Sequence, residues 1–173
     1  MKGGTMDNKL LKAFLAFLIV ARQNGYAGGA EGVTILRGGK QFKFDDAGFS
    51  YWDTYYGFDP FAGQELVWAH DVGWMWAMNY YGGLLKDICY HQKELPRDEA
   101  NKVYEFLKTA LCQVKVETPY RGPKNYSKRD WVYENEWEVR SSVEEFCGSE
   151  RIFHKNILVY RGDYHGGLLK DKS

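Results

Sequence analysis

Net charge is the first thing this sequence lacks: 23 Lys and Arg stand against 23 Asp and Glu in 173 residues, and each half of the chain is close to neutral. No basic face is expected, so direct nucleic-acid binding and attraction to an anionic membrane are set aside. Cysteine is scarce. Cys89, Cys112 and Cys147 lie far apart with no C-x-x-C, which excludes a zinc knuckle and a disulfide framework and fits reduced thiols in a cytoplasmic protein. His70, His91, His154 and His165 show no H-E-x-x-H or other ligating spacing, so neither a metal nor a cofactor is expected. No G-x-S-x-G nucleophile motif is present, which leaves enzyme chemistry undecided. Long apolar runs are missing as well. The stretch 13–21 is too short to cross a bilayer and has charges on both sides with no cleavage signal after it.

Aromatic residues, by contrast, are abundant. They make up 17% of the chain, and 14 of them fall between Phe42 and Tyr81. Such rings suit pleated sheet cores and gain from cross-strand pairing, and that reading outweighs a ring-lined pocket. A second feature is an internal likeness. FAGQELVWAHDVGWMWAMNYYGGLLKD at 61–87 recurs in shortened form as FCGSERIFHKNILVYRGDYHGGLLKD at 146–171, and Arg37-Gly38-Gly39-Lys40 corresponds to Arg121-Gly122-Pro123-Lys124. In each copy Phe-x-Gly-x-Glu opens a hairpin and Tyr-x-Gly-Gly-Leu-Leu closes it.

Apolar residues at 10, 11, 14, 15, 17, 18 and 21 predict a helix over 9–24, capped by Asp7 or Asn8 and ended by Gly25. A second helix is predicted from Pro96, with Val103, Phe106, Leu107, Ala110, Leu111 and Val114 on its buried stripe. The Gly-rich loop 26–32 lacks phosphate-loop spacing and reads as a connector. Strands are predicted at 33–36, 41–45 and 49–55, with a turn at Asp46-Ala47-Gly48. Gly82-Gly83 reads as a strand exit, and Leu84, Leu85, Ile88 and Cys89 as a brief helix. The expected fold is α+β, a single domain over 9–173 made of two tandem pseudo-symmetric repeats, 9–95 and 96–173. Each is a helix followed by about four antiparallel strands, with the helices packed on the sheets. Residues 1–8 are expected to be a disordered leader, with translation starting at Met6.

Hairpin register selects the candidate sites. A turn at Asp71-Val72-Gly73 sets Glu65 opposite Asn79, and a turn at Asn156-Ile157 sets Glu150 opposite Asp163. Two carboxyls so close must share a proton or be neutralised, with Arg37 and Arg121 as the neutralising charges. A structural Arg-carboxylate network is the leading interpretation of this cluster and a ligand or catalytic site the other. A second candidate is an aromatic ligand surface of Trp52, Asp53, Tyr55, Trp74 and Trp76, with Tyr51, Tyr56 and Asp59 nearby. Rings beside carboxylates can hold a sugar or a cation, although core packing accounts for them equally simply.

The strings Tyr26-Ala27-Gly28-Gly29, Tyr51-Trp52-Asp53-Thr54-Tyr55, Phe61-Ala62-Gly63-Gln64-Glu65 and Trp76-Ala77-Met78-Asn79-Tyr80-Tyr81-Gly82 resemble the bacterial domain of unknown function family 5680. Tyr120-Arg121-Gly122-Pro123 and Tyr164-His165-Gly166-Gly167 extend the resemblance over nearly the whole chain from the first helix on. Members of that family often follow a helix-turn-helix DNA-binding domain, so the resemblance implies a sensory or interaction role. It implies no catalytic residue, and no such DNA-binding domain is expected before Leu10. The expected function is a cytoplasmic ligand-sensing or protein-interaction module, with an unidentified small molecule or protein as partner and room for oligomer formation. The alternative is a small enzyme using Glu150 and Asp163 as an acid/base pair.

Overall fold

A computed structural model describes residues 7–85 and 97–170. The first helix, α1 (Asn8–Asn24), begins where the Asp7 side chain accepts from the Lys9 backbone N–H, and ends at Gly25. Its buried positions Phe14, Phe17, Leu18, Ala21 and Arg22 recur at the helical period, so one stripe faces the sheet. The second helix, α2 (Arg97–Leu111), carries Asp98 and Glu99 in its first turn, where acidic groups meet the positive end of the helix dipole. It buries Val103, Tyr104, Leu107 and Ala110. Leu84, expected to open a brief helix over 84–89, is instead the last residue of the strand Gly73–Leu84; residues 86–89, the helix start at Pro96 and the leader 1–6 lie outside the described residues.

Among the described residues there are also nine strands: β1 (Val33–Thr34), β2 (Lys40–Asp46), β3 (Phe49–Gly57), β4 (Phe61–Ala69), β5 (Gly73–Leu84), β6 (Asn125–Lys128), β7 (Trp131–Trp137), β8 (Glu145–His154) and β9 (Ile157–Leu168). They form one antiparallel sheet in the order β1-β2-β3-β4-β5-β9-β8-β7-β6. The expected α+β pair of helix-plus-four-strand repeats is thereby corrected to a single sheet-dominated fold. The cause lies in β5 and β9, twelve residues each, which pair from Trp76↔Leu168 to Leu84↔Tyr160. Gly82 and Gly83 were expected to end a strand, yet they lie inside β5 opposite Gly162 and Arg161.

Both hairpins turn one residue earlier than expected. In the first, Trp68 pairs with Trp74 and Ala69 with Gly73, leaving His70, Asp71 and Val72 as the loop. In the second, His154 pairs with Ile157 around Lys155 and Asn156, both with positive φ, as a two-residue hairpin turn of the favoured hand requires. A bulge then intervenes in each hairpin, between Val67 and Trp68 and between Ile152 and Phe153. The net result is a one-residue slip, which sends each polar pair to different partners and faces.

The α1 core joins Phe14, Phe17 and Leu18 to Phe49, Tyr51, Val67, Trp76 and Met78. The α2 core joins Val103, Tyr104 and Leu107 to Tyr133, Ile152 and Tyr160. The motif glycines serve these cores. A side chain at Gly63 would collide with the Tyr80 ring, and one at Gly148 with Tyr164, so Phe-x-Gly-x-Glu leaves space for a tyrosine from the neighbouring strand.

Candidate functional site

Asp53 and Glu65 lie opposite one another on β3 and β4, on the face that the helices cover. Glu65 is held by α1, whose Arg22 donates from Nε to its Oε2 at 2.7 Å. Arg22 also donates to the Pro119 carbonyl at 2.6 Å. Two residues further on, Arg121 lies 3.6 Å from Glu65 and donates from Nε to Glu150 at 3.2 Å. Glu150 accepts as well from the hydroxyls of Tyr133 and Tyr160, both at 2.8 Å. With Asp53, these make five charged residues, none more than 6% exposed.

Asp53 is the member of the group with the least support. Tyr80 donates to its Oδ1 at 2.6 Å, and among the described residues no hydrogen bond reaches Oδ2. Burial, reinforced by the neighbouring Glu65 carboxylate, raises its pKa to about 7 against the opposing pull of the Tyr80 hydrogen bond, Arg121 and Arg22. Burial likewise pushes the Tyr26, Tyr80 and Tyr104 hydroxyls well up, so they stay protonated.

Asp53 borders a cavity of about 160 Å³ roofed by α2, room for about five waters at roughly 30 Å³ each. Its walls are Tyr26, Tyr55, Phe58, Phe61, Tyr80 and Tyr104, with Asn101, Glu105 and Lys108 from α2 and the Arg121 guanidinium. The rings brace one another: Tyr26 meets Tyr55 edge-on at 5.9 Å, and Phe61 meets Tyr80 at 6.0 Å and Tyr104 at 5.9 Å. Tyr104 is anchored by donating to Asp59 at 2.9 Å. A small adjoining hollow reaches Arg22, Tyr51 and Glu65.

The structure regroups the residues singled out from sequence. Asp53 and Tyr55 come from the expected aromatic surface and Glu65, Arg121 and Glu150 from the expected polar cluster, and all five lie on the helix-covered face. Asn79 pairs with Gln64, whose amide donates to it at 2.9 Å. Glu150 pairs with Gly162, while Asp163 pairs with Ser149 and is exposed beside Arg161 at 3.0 Å. The expected Glu150–Asp163 carboxyl pair therefore does not form. Arg37 is exposed in a 3₁₀ turn with φ 64°, and the role expected of it falls to Arg22. Trp52 and Trp74 meet edge-on at 5.2 Å on the opposite face, whereas Trp76 is fully buried near Phe14 and Phe146. Arg22, Tyr26, Tyr80 and Tyr104 were not singled out. A signal existed for Arg22, a charge four residues beyond Leu18 on the apolar stripe of α1.

A wider groove of about 670 Å³ on the opposite face is bordered by Asn79, Arg161, Asp163 and His165. Its charged groups are half-exposed and screened by water, so the cavity under α2, which has the buried Asp53 in its wall, is the better candidate. Among the described residues no group of three or more His, Cys, Asp or Glu is placed to hold a metal. No described helix is long and apolar enough to cross a membrane.

The chain is thus a sheet-dominated domain with a helix-roofed, tyrosine-walled cavity at a buried carboxyl. A family model described as a domain of unknown function, number 5680, matches residues 53–169, and the chain belongs to that family. No curated protein and no solved structure gives a significant match.

Proposed function

We propose that this domain is a cytoplasmic ligand-sensing module that binds a small molecule in the cavity between α2 and the sheet. One comparison carries the reading. Asn135 lies opposite Glu150 as Asp53 lies opposite Glu65, and it accepts from the Tyr164 hydroxyl at 2.7 Å as Asp53 accepts from Tyr80. Asn135 also donates to the Gly122 carbonyl and is away from the cavity. An amide therefore does the structural work of this position without charge. Retaining a buried acid in the wall of a cavity, at a cost in desolvation, fits a group that meets a ligand.

A thermal-shift screen of metabolites tests the reading. A ligand at about 100 times its dissociation constant adds about 2.7 kcal/mol, which raises Tm by roughly 5–11 °C for a domain of this size. Asn101, exposed on α2 at the cavity, gives a blocking variant: Asn101→Trp should fold normally and lose the shift. No stabilising compound, or a shift that survives in Asn101→Trp, counts against the cavity as the site.

A second reading, protein interaction, draws on the uncovered face of the sheet, where Trp74 and Tyr81 are exposed. Sedimentation of the purified chain at rising concentration tests self-association through that face, with Trp74→Lys as the disrupting variant.

A further inference from the structure

We propose that the cavity receives an organic cation, an alkylammonium or quaternary ammonium group, with its charge against Asp53 and its alkyl groups against the surrounding tyrosine rings. The proposal rests on the reading that this cavity binds a small molecule, and it names the chemistry of that molecule.

Charge count is the first argument. The buried charged side chains among the described residues are two guanidiniums, Arg22 and Arg121, and three carboxyls, Asp53, Glu65 and Glu150. Arg22 is committed to Glu65, and Arg121 lies between Glu65 and Glu150. That leaves Asp53 as the surplus acid, with Oδ2 free of hydrogen bonds among the described residues and the cavity beside it. An entering cation balances the group at three against three. An entering anion would instead confront a surplus of carboxyls at low dielectric.

The walls supply the second argument. Cations attract the faces of aromatic rings within about 6 Å of the centroid, and two rings of this cavity already carry one: Arg121 lies 4.4 Å over Tyr80 and Lys108 lies 5.3 Å over Tyr26. Lys108 is tied to Glu105 at the cavity mouth. Its ammonium and a ligand cation would compete for the same ring.

Titration of Asp53 makes binding pH-dependent. The groups acting on it are Glu65 from β4, Tyr80 from β5, Arg22 from α1 and Arg121 from the segment before β6. Tyr26 precedes β1, and α2 presents Tyr104, Glu105 and Lys108 to the same space. A cation binds the ionised acid, and with a pKa of about 7 the ionised fraction rises about tenfold between pH 6 and pH 8. Affinity should rise by the same factor.

Calorimetric titration of the full chain decides the matter, with tetramethylammonium, choline, the uncharged choline isostere 3,3-dimethylbutan-1-ol, and acetate as probes. The proposal expects choline to bind about tenfold or more tightly than the isostere, with the pH dependence above. Asp53→Asn should remove the advantage of choline and leave isostere binding unchanged, since Asn135 shows that an amide suits this position. Lys108→Met should strengthen choline binding. Equal binding of choline and isostere, or tighter binding of acetate, overturns the cation while leaving the cavity a ligand site. No heat from either cation at about 10 mM also overturns it, whatever the metabolite screen returns. If Asn101→Trp changes nothing for a probe that binds, the cavity itself is excluded.

Discussion

At the scale of single residues, Asp53 sets the most direct test of the site. Its folded pKa of about 7 stands above the ordinary 3.8 because burial disfavours the charged form. Below about pH 4 the acid is protonated in both folded and unfolded chains, so it makes no pH-dependent demand. As pH rises from 4 to 7 the unfolded chain ionises and gains hydration that the folded chain does not, so stability falls, levelling off above 7. The difference in pKa corresponds to up to about 4 kcal/mol. Asp53→Asn removes this loss and keeps an acceptor for Tyr80. The variant should therefore be more stable than wild type in urea at pH 8, with the margin shrinking toward pH 4. A variant that is weaker at every pH would show that the carboxylate is needed to hold the fold. Asp53 was legible in the sequence as a carboxylate among rings. Its hydrogen-bond donor Tyr80 and the cavity walls Tyr26 and Tyr104 were not, because they arrive from another strand, a loop and a helix with no common spacing.

At the scale of strands, helical periodicity matches the structure, whereas the turn positions of the β4–β5 and β8–β9 hairpins, the strand exit expected at Gly82-Gly83 and the strand pairing do not. The α1 stripe, the α2 stripe and the β2–β3 turn follow from periodicity and from turn residues that need positive φ, such as Ala47 and Gly48. Register depended on a turn position one residue away from the expected one, and on bulges that carry no residue signature. Because strand side chains alternate, that slip alone turned Asn79 and Asp163 away from the carboxylates they were expected to meet. Gly63 shows how tightly the register is fixed. Its missing side chain leaves room for the Tyr80 ring and approaches the Thr54 carbonyl, so a methyl there must push the tyrosine or the backbone. Gly63→Ala should cost about 1–3 kcal/mol by overpacking, and it should also weaken the Tyr80–Asp53 bond. A fall in Tm accompanied by a lowered Asp53 pKa, followed by NMR of the carboxyl carbon, would rule out that weakening, since losing a donor to the charged form must raise the pKa. An unchanged Tm would mean that the tyrosine moves without resistance.

At the scale of the whole molecule, the sheet is one body because β5 and β9 pair from Trp76↔Leu168 to Leu84↔Tyr160, a contact between stretches far apart in the chain that no local pattern announces. From sequence, Arg121 is expected to neutralise a Glu150–Asp163 pair within one repeat. In the structure Arg121 reaches Glu65 on β4 as well as Glu150 on β8, so a single guanidinium spans the central strands. Arg22, bonded to the carbonyls of Pro119 and Tyr120, fastens α1 to the segment that delivers Arg121. Removing the cation should leave buried carboxylates uncompensated, and Arg121→Met should destabilise by about 3–5 kcal/mol. Tyr133 and Tyr160 donate to different oxygens of Glu150, so Glu150→Gln removes the charge and keeps an acceptor for one of them while the other hydroxyl turns to accept from the new amide; in the Arg121→Met background it should recover part of that loss. A double-mutant cycle by urea denaturation should give a coupling of about 0.5–3 kcal/mol, little changed by salt because buried pairs are weakly screened. Additive losses, or a coupling abolished by 1 M salt at a Debye length of about 3 Å, would mean that the sheet is held by its ladder and aromatic core alone, with the charges serving only the cavity.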